Sequence, residues 1–532
     1  MQTDETMALE PEAQRAELDP LAPPPKRLGI FDERLSPILV KEVRQALRGR
    51  LFKVSFWFTL VAATLIGVSI IVNMSGVRGE EALSVAFFGF IHACMIIAVV
   101  GVVPFSAFLS MGAEWDENTF DLLVLSNLKP RQIILGKLLS AGVQGALFFS
   151  AFGPFLVFAF LLRGIDLVAV SAILAFAALL SATASTVAIS ISSLTTTAFV
   201  RRMLILLLAI LLGGTCMSAI GMGGMFIARP QELRDPDTIA GLSGIAISML
   251  VLLSFSFAIA CSRLAHEEEN RSTGLRVLST LALGVLLGWL GFMYPKYFDL
   301  EVVFGVCCFG AFFAFCNGLF FCSEAEELGR RTRRQIPRNP LLSQLAVPFL
   351  PGGGRGMLLL LLQLSLLGGG ALGLWWFKQP STGRDPIDEG LLGFLTFALY
   401  VALYLGVPCA ILSRISGDLR GRSVIRGSVL LLFVVATFLP SILGFFVGDR
   451  SLMEFEHPGH PFWIIDQVWN GNPSPSESAL LVAVLVVTGA ALALNLPRMA
   501  RGWHEVGSTR RRLAESAEAP AGAAVDELER SA

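Results

Sequence analysis

The chain has 532 residues, of which 54% are hydrophobic and only 16% charged, with a mean hydropathy of +0.67 and a formal net charge of −1. Soluble domains carry about a quarter charged residues, and their apolar residues do not gather into charge-free blocks of about 18 to 26. A water-soluble globule is therefore excluded, and the balanced charge leaves no footprint for nucleic acid.

The first 33 residues are polar and carry "LAPPPKR" at 21–27, so they read as a disordered leader without the short apolar region of a secretory signal. Next comes "RLSPILVKEVRQALRGRLF" at 34–52. Ser36 suits a helix cap and Pro37 its first turn, where the missing N–H costs nothing. Val40, Val43, Leu47 and Leu51 then recur at helical spacing, with Lys41, Arg44, Arg48 and Arg50 elsewhere on the surface. The pattern predicts an amphipathic helix at the membrane interface, apolar face in the acyl boundary and cations toward anionic membrane lipids.

A helix rises about 1.5 Å per residue, so about 20 residues cross a hydrocarbon core about 30 Å thick. Twelve apolar blocks of that size follow, near 54–73, 84–108, 138–162, 168–192, 203–228, 240–261, 277–294, 302–322, 357–377, 391–412, 428–448 and 478–496. The expected fold is an all-α polytopic membrane protein with about 12 transmembrane helices. The block at 203–228, with Gly213-Gly214 and Gly223-Gly224, leaves open one straight helix or a pair of broken or re-entrant pieces. With the N-terminus inside, 33 of the 41 Lys and Arg fall on the inner side and 8 on the outer, which puts both termini in the cytoplasm.

Between the second and third blocks lies "EWDENTFDLLVLSNLKPRQIILGK", at 114–137. Asn118 suits a cap, Asp116, Glu117 and Asp121 favour the positive end of a helix dipole, and Phe120, Leu123, Val124 and Leu128 form an apolar stripe. Lys129 precedes Pro130 and leaves the helix, and Pro130 opens the next one. A short helix with one greasy and one acidic side, facing an anionic inner leaflet, is better suited to a cytoplasmic partner than to lipid.

Chemistry is sparse. All eight Cys fall in or at the edge of spans without metal-site or disulfide spacing. His92 is the one ionisable group placed inside a span, and reads as a packed polar residue. The outer "EFEHPGHPF" holds Glu454, Glu456, His457 and His460, but its two His straddle a Pro-Gly turn with no fixed geometry. "PGGGRG" at 351–356 lacks the Lys and hydroxyl of a phosphate-binding loop and reads as flexible. No metal, no cofactor and no catalytic group is expected.

The stretch "EWDENTFDLLVLSNLKPRQIILGKLL" resembles the signature of ABC transporter permeases of type 2, the exporter-like class. Glu114 and Glu117 match its leading acids, Thr119, Asp121, Leu122 and Leu123 its core, and Leu135, Gly136 and Lys137 its end. Asn118 stands for the usual Gly, Phe120 for Leu and Asn127 for the turn Pro. "SPILVKEVRQALRGR" is similar to the basic N-terminal helix of bacterial members, and "ISSLTTTAFVRRMLILLLAI" to the stretch before their fifth span. The resemblance covers about the first 260 residues. It implies a coupling helix, docked on a separate ATP-binding cassette subunit, made of Glu114, Asp116, Glu117, Thr119, Phe120, Asp121, Leu122 and Leu123, with Gly136 and Lys137 opening the span that receives the motion.

The implied organisation is a leader (1–33), a six-span permease-like unit (34–262), a second group of about six spans (263–497) and a cytoplasmic tail (498–532). Such a permease needs two transmembrane units, from a homodimer, a paralogue or its own halves. A parallel repeat of six and six spans is conceivable, with 323–356 falling where 114–137 falls, although "SEAEELGRRTRR" shares acids and a Leu with the first loop and little else. With seven Lys against 34 Arg, the composition suggests a GC-rich bacterium and hence the cytoplasmic membrane. The expected function is the membrane subunit of an ABC export complex, not itself an enzyme. The alternative is a polytopic scaffold or lipid-modifying enzyme without transport.

Overall fold

The computed structural model describes residues 37–74, 80–116, 129–161, 166–194, 198–265, 269–297, 300–378, 389–415, 419–447 and 475–518. Among them all regular structure is helical. After a helix at Pro37–Arg48 come twelve helices long and apolar enough to cross a membrane. Numbered as spans 1 to 12, they are Arg50–Val72, Val85–Glu114, Pro130–Phe160, Leu167–Ser193, Arg201–Ala228, Pro236–Leu264, Thr273–Tyr294, Val302–Phe321, Gly353–Phe377, Gly390–Leu412, Val424–Gly444 and Leu481–Arg512.

The twelve expected spans are all present, and 203–228 lies within one helix, Ala198–Ala228. Its glycines do not break it: Gly213, Gly214 and Gly224 stand within the continuous helix with nothing packed where a Cβ would be. Gly223 faces the ring of His92 at closer than contact distance for any Cβ, so the glycine is what lets spans 2 and 5 approach. Span 2 is not regular throughout. Its α-helix widens to a π turn at Ile97–Val102 before resuming at Val103–Asp116. The Ser181 hydroxyl, from span 4, donates to the loosened Val99 carbonyl at 2.7 Å.

Outward surfaces are apolar, as lipid requires: Trp57, Phe58, Val61 and Leu65 of span 1 are exposed. Between helices there is little hydrophobic drive, since lipid is as apolar as a leucine, and close packing of small residues with hydrogen bonds takes over. Span 4 shows this. Ser181, Thr183, Ser185, Thr186, Ser190 and Ser192 are all buried, and Ser192 donates to the Phe108 carbonyl of span 2 at 2.9 Å.

Two large cores result, with smaller buried clusters beside them. One draws on residues from Phe52 to Leu264, the other on residues from Leu283 to Met499. They are joined where span 6 meets spans 7 and 8. There Trp289 donates to the Ser243 hydroxyl at 2.9 Å, and Phe255 and Phe313 pack edge to face at 5.3 Å.

Candidate coupling site

The N-terminal helix Pro37–Arg48 forms where it was expected and lies against span 3. Lys41, Arg44, Arg48 and, just beyond the helix, Arg50 are exposed, while Val40, Val43 and Leu47 are partly covered. Its single acid, Glu42, points the other way and is buried.

Glu42 meets the two ends of the charged segment. The Lys137 ammonium, on the first turns of span 3, lies 3.1 Å from Glu42 Oε2 and 2.9 Å from Glu114 Oε1 at the end of span 2. It also donates to the Ser110 hydroxyl at 3.1 Å. The side chains are only 2%, 5% and 9% exposed. Burying three charges costs several kcal/mol per ion unless each is paired, and here one ammonium divides its protons between two carboxylates and a hydroxyl. One cation thus ties three segments together: the N-terminal helix, the end of span 2 and the first turns of span 3.

The surroundings are polar. Ser106 donates to Gln144 Oε1 at 2.9 Å, and Arg201, opening span 5, donates to the Gly112 carbonyl at 3.3 Å. A cavity of about 260 Å³ lies between the N-terminal helix and spans 2 and 3, lined by Glu42, Gln45, Ser110, Lys137 and Gln144 among others.

Of the residues expected to form the coupling element, Glu114, Gly136 and Lys137 are buried together at its two ends. Asp116 closes the span 2 helix. Glu117, Thr119, Phe120, Asp121, Leu122 and Leu123 lie outside the described residues, as do Glu454, Glu456, His457 and His460. Glu42 and Ser110 escaped the sequence reading. The available signal for Glu42 was one acid in an otherwise basic helix.

A second polar cluster sits at the same end of the other half. The Arg276 guanidinium, fully buried at the start of span 7, pairs with Glu324 Oε2 at 2.7 Å and donates to the carbonyls of Pro348, Leu350, Phe321 and Gly352. Arg355 donates to the Pro351, Glu326 and Gly502 carbonyls and pairs with Glu505 at 3.2 Å. Arg498 pairs with Glu326 at 2.7 Å.

This corrects one expectation. "PGGGRG" is not a flexible loop: Gly353 begins span 9, and a Cβ there would lie 2.5 Å from Arg498 Nη2. At Gly354 it would lie 2.6 Å from the Arg498 carbonyl, and at Gly356 it would collide with the Phe321 backbone. Only Gly352 has a positive φ, 135°. The run of glycines is there so that helix backbones can touch, with Arg355 filling the space between them.

Span 12 continues as helix to Glu518, so residues from 498 onward, expected as a tail, begin as an ordered buttress. Val506 packs with Leu328, Ile336, Val347 and Leu350. His92 Nε2 donates to the Ala219 carbonyl at 3.4 Å, beside a cavity of about 30 Å³ that holds no more than a water. Among the described residues no group of three His, Cys, Asp or Glu is placed to hold a metal ion. No family model, curated protein or solved structure matches this chain.

Proposed function

We propose that this chain is the membrane-spanning permease subunit of an ABC export complex in the cytoplasmic membrane, driven by ATP hydrolysed on a separate chain. The observation that carries this reading is the Lys137 bridge between Glu42 and Glu114. A push on the segment 117–128 would arrive at both of its ends, Glu114 and Lys137, which are locked to each other and to the interfacial helix. Such a lock transmits displacement instead of absorbing it, since buried ion pairs resist separation. The π turn above it gives span 2 a place to bend, as π turns often do at functional positions. The acidic, leucine-bearing stretch between the two ends has the composition of a docking helix.

The test is purification of the tagged protein from its own host in mild detergent, with mass spectrometry of what accompanies it. A stoichiometric ATP-binding cassette protein, lost on substituting Thr119, Leu122 and Leu123 by Asp, is the expected result. A protein that emerges alone, or an ATPase that stays after those substitutions, overturns the reading in favour of a scaffold or lipid-modifying enzyme.

A further inference from the structure

The two halves pack their helices by one plan. In the first, span 2 contacts spans 1, 3, 4 and 5, span 4 contacts spans 3, 5 and 6, and span 3 also touches spans 1 and 6. Adding six to every number gives the packing of the second half, pair for pair: span 8 against 7, 9, 10 and 11, span 10 against 9, 11 and 12, and span 9 against 7 and 12. The same hydrogen-bonding habit recurs between corresponding pairs. Ser192 of span 4 donates to the Phe108 carbonyl of span 2, and Cys409 of span 10 approaches the Cys322 carbonyl at the end of span 8 at 3.8 Å.

The charged ends correspond as well. An acid lies at or shortly after the end of the second span of each half: Glu114 in one, and Glu324 and Glu326, three and five residues past Phe321, in the other. A cation directly after a glycine lies in the first turns of the third, seven residues after Pro130 in Gly136-Lys137 and two after Gly353 in Gly354-Arg355. Lys137 binds the Glu114 carboxylate and Arg355 the Glu326 carbonyl. A buried glutamine follows within the same helix, Gln144 and Gln363, although its partners differ. An arginine opens the fifth helix and reaches back to the end of the second, Arg201 to the Gly112 carbonyl and Arg426 to the Ser323 hydroxyl. Around these arginines "FVRRMLILLLA" parallels "VIRGSVLLLFV".

Six helices can be packed in many ways, and independent halves have no reason to share one packing plan together with one set of charged anchors. Six spans also return the chain to its starting side, so both copies cross in the same direction.

We propose that the halves are copies of one six-span unit, joined through 265–272, and that together they supply the two transmembrane units an ATPase pair acts on. The working assembly then contains one copy of this chain; this rests on the transport reading above. Fusion also lets the two stations diverge, which identical copies in a homodimer cannot do. The first station places one lysine between two carboxylates. The second sets Arg276, Arg355 and Arg498 against Glu324, Glu326 and Glu505, and is buttressed by the extension of span 12.

Native mass spectrometry of the complex from its own host tests this by counting chains, with two differently tagged copies co-expressed as a control. One copy of this chain with two ATP-binding chains, and no capture of one tag by the other, is expected. Two copies per particle with ATPases bound would overturn the inference and leave the transport reading standing, as would one copy with a single ATPase. A particle without any ATPase overturns the transport reading and the one-chain machine with it.

Discussion

Removing the Lys137 ammonium while keeping its volume, as in Lys137→Met, tests whether the bridge holds the coupling site together. Glu42 Oε2 and Glu114 Oε1 lie 3.1 and 2.9 Å from the same nitrogen, so they are at most about 6 Å apart. Without the cation, two carboxylates at that separation repel by about 3 kcal/mol at an effective dielectric of about 20. Stranding a buried charge by deleting its partner costs about 3–5 kcal/mol, and uptake of a proton by one carboxylate sets the upper limit. The assay is thermal unfolding of the purified protein in one detergent, followed by tryptophan fluorescence. The Lys137→Met midpoint should fall clearly, and adding Glu42→Gln should raise it again, because the second change removes half of the stranded charge. Glu42→Gln alone should fall less than Lys137→Met, since Lys137 keeps Glu114. A Lys137→Met midpoint equal to that of the parent, or a double variant whose losses simply add, would refute the bridge.

Three further outcomes follow from the packing. Gly356→Ala places a methyl in the Phe321 backbone and should cost about 1–3 kcal/mol by forcing spans 8 and 9 apart, whereas Gly369→Ala in the same helix meets nothing and should be neutral in the same thermal scan. Arg276→Lys keeps the charge but cannot reach the carbonyls of Pro348, Leu350, Phe321 and Gly352 at once, so proteolysis within 323–352 should accelerate relative to the parent; an unchanged cleavage rate would show that the guanidinium does not hold that segment. Cys322 is buried in the second core, so at pH 8 it should resist maleimide in the folded protein and react fully after denaturation, as followed by peptide mass spectrometry.

The sequence by itself determined the class and the count of spans. Charge-free blocks of bilayer length have one common solution, because a backbone in hydrocarbon must satisfy its own hydrogen bonds, and that requirement is local. It likewise marked Glu114 and Lys137 as the two ends of one element and Lys41, Arg44 and Arg48 as an exposed basic face, since helical periodicity and cap chemistry are short-range. Partnership across the chain was not legible. Nothing in "KEVRQ" says that Glu42 turns inward to a lysine 95 residues later, or that a glycine run suggesting slack is the place where Arg355 ties span 9 to span 12 and Arg498 ties span 12 to Glu326. The proposed repeat was legible only as a count of six and six for the same reason: lipid-facing positions accept almost any apolar residue, so two copies drift apart in sequence while helix pairing and the charged anchors persist. Only the tertiary structure, which brings those anchors to corresponding corners of two bundles, decided that the halves are built alike.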